Sequence, residues 1–199
     1  MTVDRPPRND VNPMHGTLAP SPWILRWSHL VPAGGTVLDA ACGAGRHMGW
    51  FAQLGHKVTG VDRDAEALAV AAGAGRTVQA DIENGPWPFA GETFDAVVVT
   101  NYLWRPLWPA LLGSLAPGGV LLYETFAEGN ETVGKPSRPD FLLRNGELLE
   151  LCRGLRIVAY EDGFLDAPPR FVQRVAAVRT GPADGRARHR LQIESAIPE

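Results

Sequence analysis

The run F-D-A-V-V-V-T, Phe94 to Thr100, is the tightest constraint on what this chain can fold into. It is almost continuously apolar and β-branched, so it reads as a strand buried on both faces. Such a strand needs a covering layer on each side of its sheet, and helices are the usual layers. The chain supplies them in alternation. Strand-like runs at Thr36 to Leu38, Lys57 to Asp62 and Thr77 to Asp81 are separated by helix-like stretches, Arg46 to Leu54 and Ala65 to Ala72. Met48, Phe51, Ala52 and Leu54 have helical spacing and stop at Gly55; the second stretch follows Asp64, a capping residue, and stops at Gly73 and Gly75. Downstream, a helix over Pro106 to Ala116 ends at Pro117-Gly118-Gly119 and leads into a fifth strand, G-V-L-L-Y-E-T. This order predicts a doubly wound α/β fold with a mostly parallel sheet and ligand-binding loops at the carboxyl ends of the strands.

The flanks read differently. Residues 1–20 hold four prolines and form a mobile or draped arm, and residues 21–179 form one domain. Residues 180–199 lose periodicity and form a flexible tail in which Arg186, Arg188 and Arg190 are a solvated cluster. Ser21 and Pro22 open a short helix whose Trp23, Ile24 and Trp27 share one face, for packing or for capping a cleft. Near the other end, a helix over Arg144 to Cys152 precedes two runs joined at Pro168-Pro169, which read as an antiparallel pair at the sheet edge. A net charge of -3 disfavours a nucleic-acid substrate and leaves a small molecule as the expected partner. Two cysteines without a CxxC pair give no metal or redox motif and fit a cytoplasmic protein, and no apolar run reaches the length needed to span a membrane.

Four motifs follow one another: D-A-A-C-G-A-G-R-H from Asp39, H-K-V-T-G-V-D-R-D from His56, Q-A-D-I-E from Gln79 and F-D-A-V-V-V-T-N-Y from Phe94. With them the chain resembles a class I S-adenosylmethionine-dependent methyltransferase over Val37 to Glu124. More loosely, it is similar to the tellurite-resistance type, whose members methylate small or soft nucleophiles. The resemblance implies a Rossmann-like seven-stranded sheet, six strands parallel and one near the C-terminus antiparallel. It implies S-adenosyl-L-methionine as cofactor and S-adenosyl-L-homocysteine as product.

The residues give their own reasons. Gly43 and Gly45 let a ligand approach the backbone, and with Ala41 they are assigned to the methionine end of the cofactor. Asp62 closes the next strand, where a carboxylate can accept from ribose hydroxyls. A nicotinamide enzyme would use the same aspartate. Its pyrophosphate loop would need a third glycine where Met48 stands, and Asp39 beside that loop would repel a pyrophosphate but tolerate a sulfonium and an ammonium. Asp81 matches the family position that reads adenine, with Ile82 as an apolar face for the ring; a turn cap is its plain alternative. Asn101 and Tyr102 follow the central strand and face the methyl group, or else form a turn and pack.

Methyl transfer needs alignment first and a base only for some acceptors. Tyr102 and Glu124 are the catalytic candidates, Glu124 because strand ends face the cleft. Glu131 is a weaker one, and so is His47, expected to be exposed or capping. The polar loop with Glu128, Asn130 and Glu131 could touch substrate, and Cys42 reads as a small spacer. Alternatives stay open: a methyltransferase on tRNA or protein, or a non-catalytic cofactor-binding module.

Overall fold

The computed structural model describes residues 19–181 and 188–191. The expectations for most of the N-terminal arm and much of the tail, Arg186 included, lie outside the described residues. Seven strands form one sheet: β1 (Thr36–Ala40), β2 (Lys57–Asp62), β3 (Arg76–Gln79), β4 (Phe94–Thr100), β5 (Leu115–Phe126), β6 (Arg156–Asp166) and β7 (Pro169–Val178). Their order is β3-β2-β1-β4-β5-β7-β6, which puts β4 in the middle with Val97, Val98 and Val99 fully buried. Neighbours from β3 through β5 pair parallel, and β7 runs antiparallel to both β5 and β6. β6 therefore runs with the first five, and the sheet is six strands against one.

Side chains alternate along each strand, so every strand feeds two layers. Val37, Val98 and Leu122 meet α1 (Pro22–Trp27), α2 (Arg46–Gln53) and α3 (Ala65–Ala71), where Trp23, Met48, Phe51 and Leu68 are buried. Leu38, Val97 and Leu121 face the other way and meet α4 (Trp108–Gly113) and α5 (Glu147–Leu151) through Trp108, Leu111 and Leu148. The two tryptophans of α1 pack: their rings meet edge to face at 5.6 Å, and Trp23 Nε1 donates to the Val175 carbonyl at 3.3 Å. Ser21 caps α1 by accepting from Trp23 N, and Asp64 caps α3 by accepting from Glu66 N and Ala67 N.

Several boundaries move, each for a local reason. β3 ends at Gln79, so Asp81 lies two residues beyond its strand. The helix expected from Pro106 begins as a 3-10 turn, Arg105–Leu107, before α4. β5 starts at Leu115, ahead of the glycines, because Leu115 pairs with Phe94 and a register shift absorbs the Pro117-Gly119 kink. α5 starts three residues late, since Gly146 at φ +71° holds the chain outside the helical region.

Sheet growth turns round between β1 and β4. From β1 the chain builds outward to β2 and β3, and from β4 it builds the opposite way to β5. Open α/β sheets bind ligands in the crevice at such a switch point, beyond the carboxyl ends of the strands.

Candidate functional site

The residues just past the two switch-point strands are strained. Ala41 follows β1 at φ +55° and Asn101 follows β4 at φ +54°, the two non-glycine residues with positive φ among the described residues. Strain of this kind costs on the order of 1–3 kcal/mol per residue and clusters at functional sites.

The glycine loop between β1 and α2 has two different glycines. Gly43 at φ +53° faces open space, with nothing within 4 Å of where a Cβ would stand. Gly45 at φ +76° faces protein: a Cβ there would lie 2.7 Å from the Ala71 Cβ. Gly43 thus leaves room for a ligand, and Gly45 lets α2 and α3 close on one another. Asp62 pins the loop, its Oδ2 accepting from Gly43 N at 2.8 Å and its Oδ1 from Asp64 N at 3.0 Å. Each oxygen keeps a second lone pair for a hydroxyl donor.

Asp39 lies beneath the loop, 1% exposed, and its Oδ2 has no hydrogen-bond partner. Burial raises its pKa to about 7; the Arg46 cation opposes the rise and the Asp62 charge adds to it. An orphaned, buried carboxyl oxygen at this point suits a cationic ligand. Burial, then the Asp39 and Asp62 charges, push the Cys42 thiol up, so it stays protonated and fits its expected place as a spacer.

At the far side of the crevice Asp81 works as a turn cap. Its Oδ1 accepts from Glu83 N at 3.0 Å and Asn84 N at 3.1 Å, and its Oδ2 from Asn84 Nδ2 at 3.0 Å. The Asn84 side chain, then these backbone donors, hold its pKa low, so it is a carboxylate exposed beside the buried Ile82. Asn101 is exposed, and its N–H donates to the Glu124 carbonyl at 2.9 Å. The Tyr102 hydroxyl is buried and faces Glu83 without a well-formed hydrogen bond; burial first, then the Glu83 charge, push its pKa up. It holds its proton.

Glu124 is placed differently from the base expected of it. It is 1% exposed, and Ser21 Oγ donates to its Oε1 at 2.9 Å while Arg174 donates to its Oε2 at 3.2 Å. Arg170 stands 3.8 Å away. A carboxylate held this way is an anchor between α1 and β7, not a free proton acceptor. His47 differs too: it is 1% exposed and its Nε2 accepts from Ser21 N at 3.1 Å. Nδ1 then carries the ring proton and faces Thr100 Oγ1 at 3.5 Å. Burial and the Arg46 charge lower the His47 pKa to about 3, so the imidazole is neutral. Arg46 donates to the same Thr100 hydroxyl at 3.2 Å.

The polar loop is held by its own side chains. Asn130 is buried, accepting from Phe171 N at 3.2 Å and donating to the Pro136 carbonyl at 2.9 Å, and Glu131 accepts from Gly129 N at 2.8 Å. Arg105 clamps the loop from outside, with Nε 2.6 Å and Nη2 2.9 Å from the two Glu147 oxygens and further bonds to the Asp140 and Leu142 carbonyls.

The sequence reading missed Ser21, Arg46, Thr100, Arg170 and Arg174. Arg170 and Arg174 at a spacing of four on a strand share a face, but their partner on β5 is some 50 residues away in sequence.

Comparison with known proteins agrees with this geometry. Residues 37–119 match a family described as "Methyltransferase domain". The match runs from β1 through β4 into β5, the segment that carries the glycine loop, Asp62 and Asn101, and the sheet order agrees with this similarity to a methyltransferase domain. Among named relatives, the malonyl-[acyl-carrier protein] O-methyltransferase of Pectobacterium atrosepticum is 38% identical over 112 residues, 51% of this chain and 43% of that protein. The chain thus spans under half of that relative's length. TehB from Haemophilus influenzae has the same fold, with TM-score 0.63 and 21% identity over 77% of this chain and 60% of TehB. So does the glycopeptide N-methyltransferase MtfA complexed with S-adenosyl-L-homocysteine, with TM-score 0.54 and 21% identity over 76% of this chain and 85% of MtfA. No helix among the described residues is long and apolar enough to cross a membrane.

Proposed function

We propose that this domain binds S-adenosyl-L-methionine at the β1/β4 switch point and transfers its methyl group to a small-molecule nucleophile, leaving S-adenosyl-L-homocysteine. The observation that carries the reading is the pairing of an open, strained loop, Ala41 to Gly43, with the orphaned Asp39 oxygen beneath it. Asp62 offers its remaining lone pairs to ribose hydroxyls, Asp81 and Ile82 take the adenine, Gly43 and Gly45 line the methionine end, and Asn101 stands beside the reacting position. The cofactor supplies an electrophilic methyl group on sulfur.

What the chain contributes is alignment and exclusion of water. Orientation of a reacting pair is worth up to about 7–11 kcal/mol of a barrier. The Ser21 bonds to His47 and Glu124 fasten the start of α1 to α2 and to the carboxyl end of β5. Tyr102 keeps its proton, His47 is neutral with its Nε2 occupied, and Glu124 is tied into ion pairs. We therefore read Tyr102 and Glu124 as positioning residues and the acceptor as a nucleophile that attacks without a base from this edge. The two buried free thiols, Cys42 and Cys152, accord with a reducing, cytoplasmic setting.

A screen with radiolabelled methyl donor over thiols, phenols, carboxylates, inorganic oxyanions and tRNA tests the activity. Label is expected in a small anion or thiol. Incorporation into tRNA alone would replace the small-molecule reading.

A further inference from the structure

The cofactor reading leaves a row of arginines beside it unused. Glu124 on β5 is paired with Arg174 on β7 and with Thr100 on β4, so Arg174, and Arg170 four residues earlier, share the face of the sheet that Glu124 and Thr100 occupy. Arg46 joins the row from the start of α2 through Thr100.

These guanidinium groups are not equally satisfied. Arg174 is committed: its Nε lies 2.8 Å from Glu161 and its Nη1 3.2 Å from Glu124. Arg170 makes no side-chain hydrogen bond among the described residues. Its Nη2 is 3.8 Å from Glu124 Oε1, beyond bonding distance, and its Nε is buried without a partner although the side chain is only 15% exposed. Arg46 feels the Glu124 and Asp39 charges and, against them, the Arg170 charge, while Arg170 has Glu124 as its nearest carboxylate. Glu124 is already bonded by Ser21 and Arg174, so it leaves the Arg170 guanidinium without a hydrogen-bonded acceptor.

A buried donor left unbonded is costly, more so when charged, and that cost is recovered when an acceptor arrives. A guanidinium fork is matched by two oxygens of one anion. We propose that Arg46 and Arg170 form an oxyanion-binding subsite beside the methyl-transfer position, which holds a carboxylate or an inorganic oxyanion of the methyl acceptor. The role in methyl transfer rests on the function proposed above, whereas the existence of the subsite rests on the arginines alone.

Calorimetry on the full chain, free and saturated with S-adenosylhomocysteine, tests it with sodium malonate, sodium sulfate and uncharged malonamide as probes. Malonate or sulfate binds and malonamide does not. A tighter malonate marks a carboxylate acceptor, and a tighter sulfate an inorganic oxyanion. Arg170→Gln weakens the anion about tenfold or more while S-adenosylhomocysteine affinity stays within about twofold, which also shows that the variant folds. Arg170→Lys falls between, and Arg76→Gln, in a distant surface pair, matches the wild type. Anion binding unchanged in Arg170→Gln, equal binding of malonamide, or no anion binding in either state overturns the subsite. If the anions bind and S-adenosylhomocysteine does not, the methyltransferase reading falls and the subsite stands.

Discussion

The two halves of the carboxyl edge are built by different means. Over β1 and β2 the site is made of backbone: a glycine loop, one strained alanine, and a carboxylate that bonds a loop N–H 19 residues away. Over β4, β5 and β7 it is made of side chains, in a network that runs from the buried Ser21 and Glu124 through Arg174 to the partly exposed Glu161. A backbone site tolerates no Cβ but needs few partners. A charged network needs every partner in place, because a buried carboxylate or guanidinium left alone is costly.

The comparison breaks most visibly at Glu124. Glu124→Ala leaves Arg170 without its counter-ion and Arg174 with Glu161 alone, and is expected to lose about 3–5 kcal/mol of stability in urea denaturation. A base whose loss slowed turnover at unchanged stability would restore Glu124 to the catalytic role. Next in size, Asp62→Ala should weaken S-adenosylhomocysteine binding by about 1.5–3 kcal/mol, the scale for hydrogen bonds to a charged group. Unchanged affinity would leave Asp62 as a loop anchor only.

The glycines sharpen the contrast within the backbone half. Gly45→Ala must displace Ala71 and hold a strained φ, so it should lower the melting temperature by the equivalent of about 1–3 kcal/mol. Gly43→Ala meets nothing in the folded chain and should cost only the roughly 1–2 kcal/mol of left-handed backbone, while cofactor binding falls sharply. The reverse ranking in binding would move the ligand off this loop.

A different kind of test concerns pH. The Asp39 carboxyl, raised by burial from 3.8 to about 7, binds its proton more firmly in the folded chain than in the unfolded one. That contribution is fully present below the unfolded value and is lost as pH rises through 7. Asp39→Asn should therefore flatten the stability profile, gaining on the wild type above pH 7 and matching it in acid. Equal slopes in denaturation series across neutral pH would show that Asp39 is already ionised.

How far the chain could be read before folding follows the same division. The Phe94 to Thr100 run, the Asp64 cap and the Gly55 stop are local signals, and the β4-centred sheet with its helices follows from them. That Asp39, Ala41, Gly43 and Asp62 gather at one loop was legible because motif and spacing lie within one strand-loop-helix-strand unit. The fully buried His47 was not, since its bond to Ser21 N spans 26 residues and depends on where α1 lands. The bond from Ser21 to Glu124 spans 103 residues, and no periodicity along the chain signals it. Asp81 shows the limit from the other side: its oxygens serve the turn from Asp81 to Asn84, a use that sequence leaves level with ligand binding.

Calorimetry of the full chain with S-adenosylmethionine, S-adenosylhomocysteine and NAD tests the central claim most directly. The account predicts binding of both sulfur compounds in the micromolar range, lost on Gly43→Ala, and no heat with NAD. Binding of NAD with neither sulfur compound would contradict it.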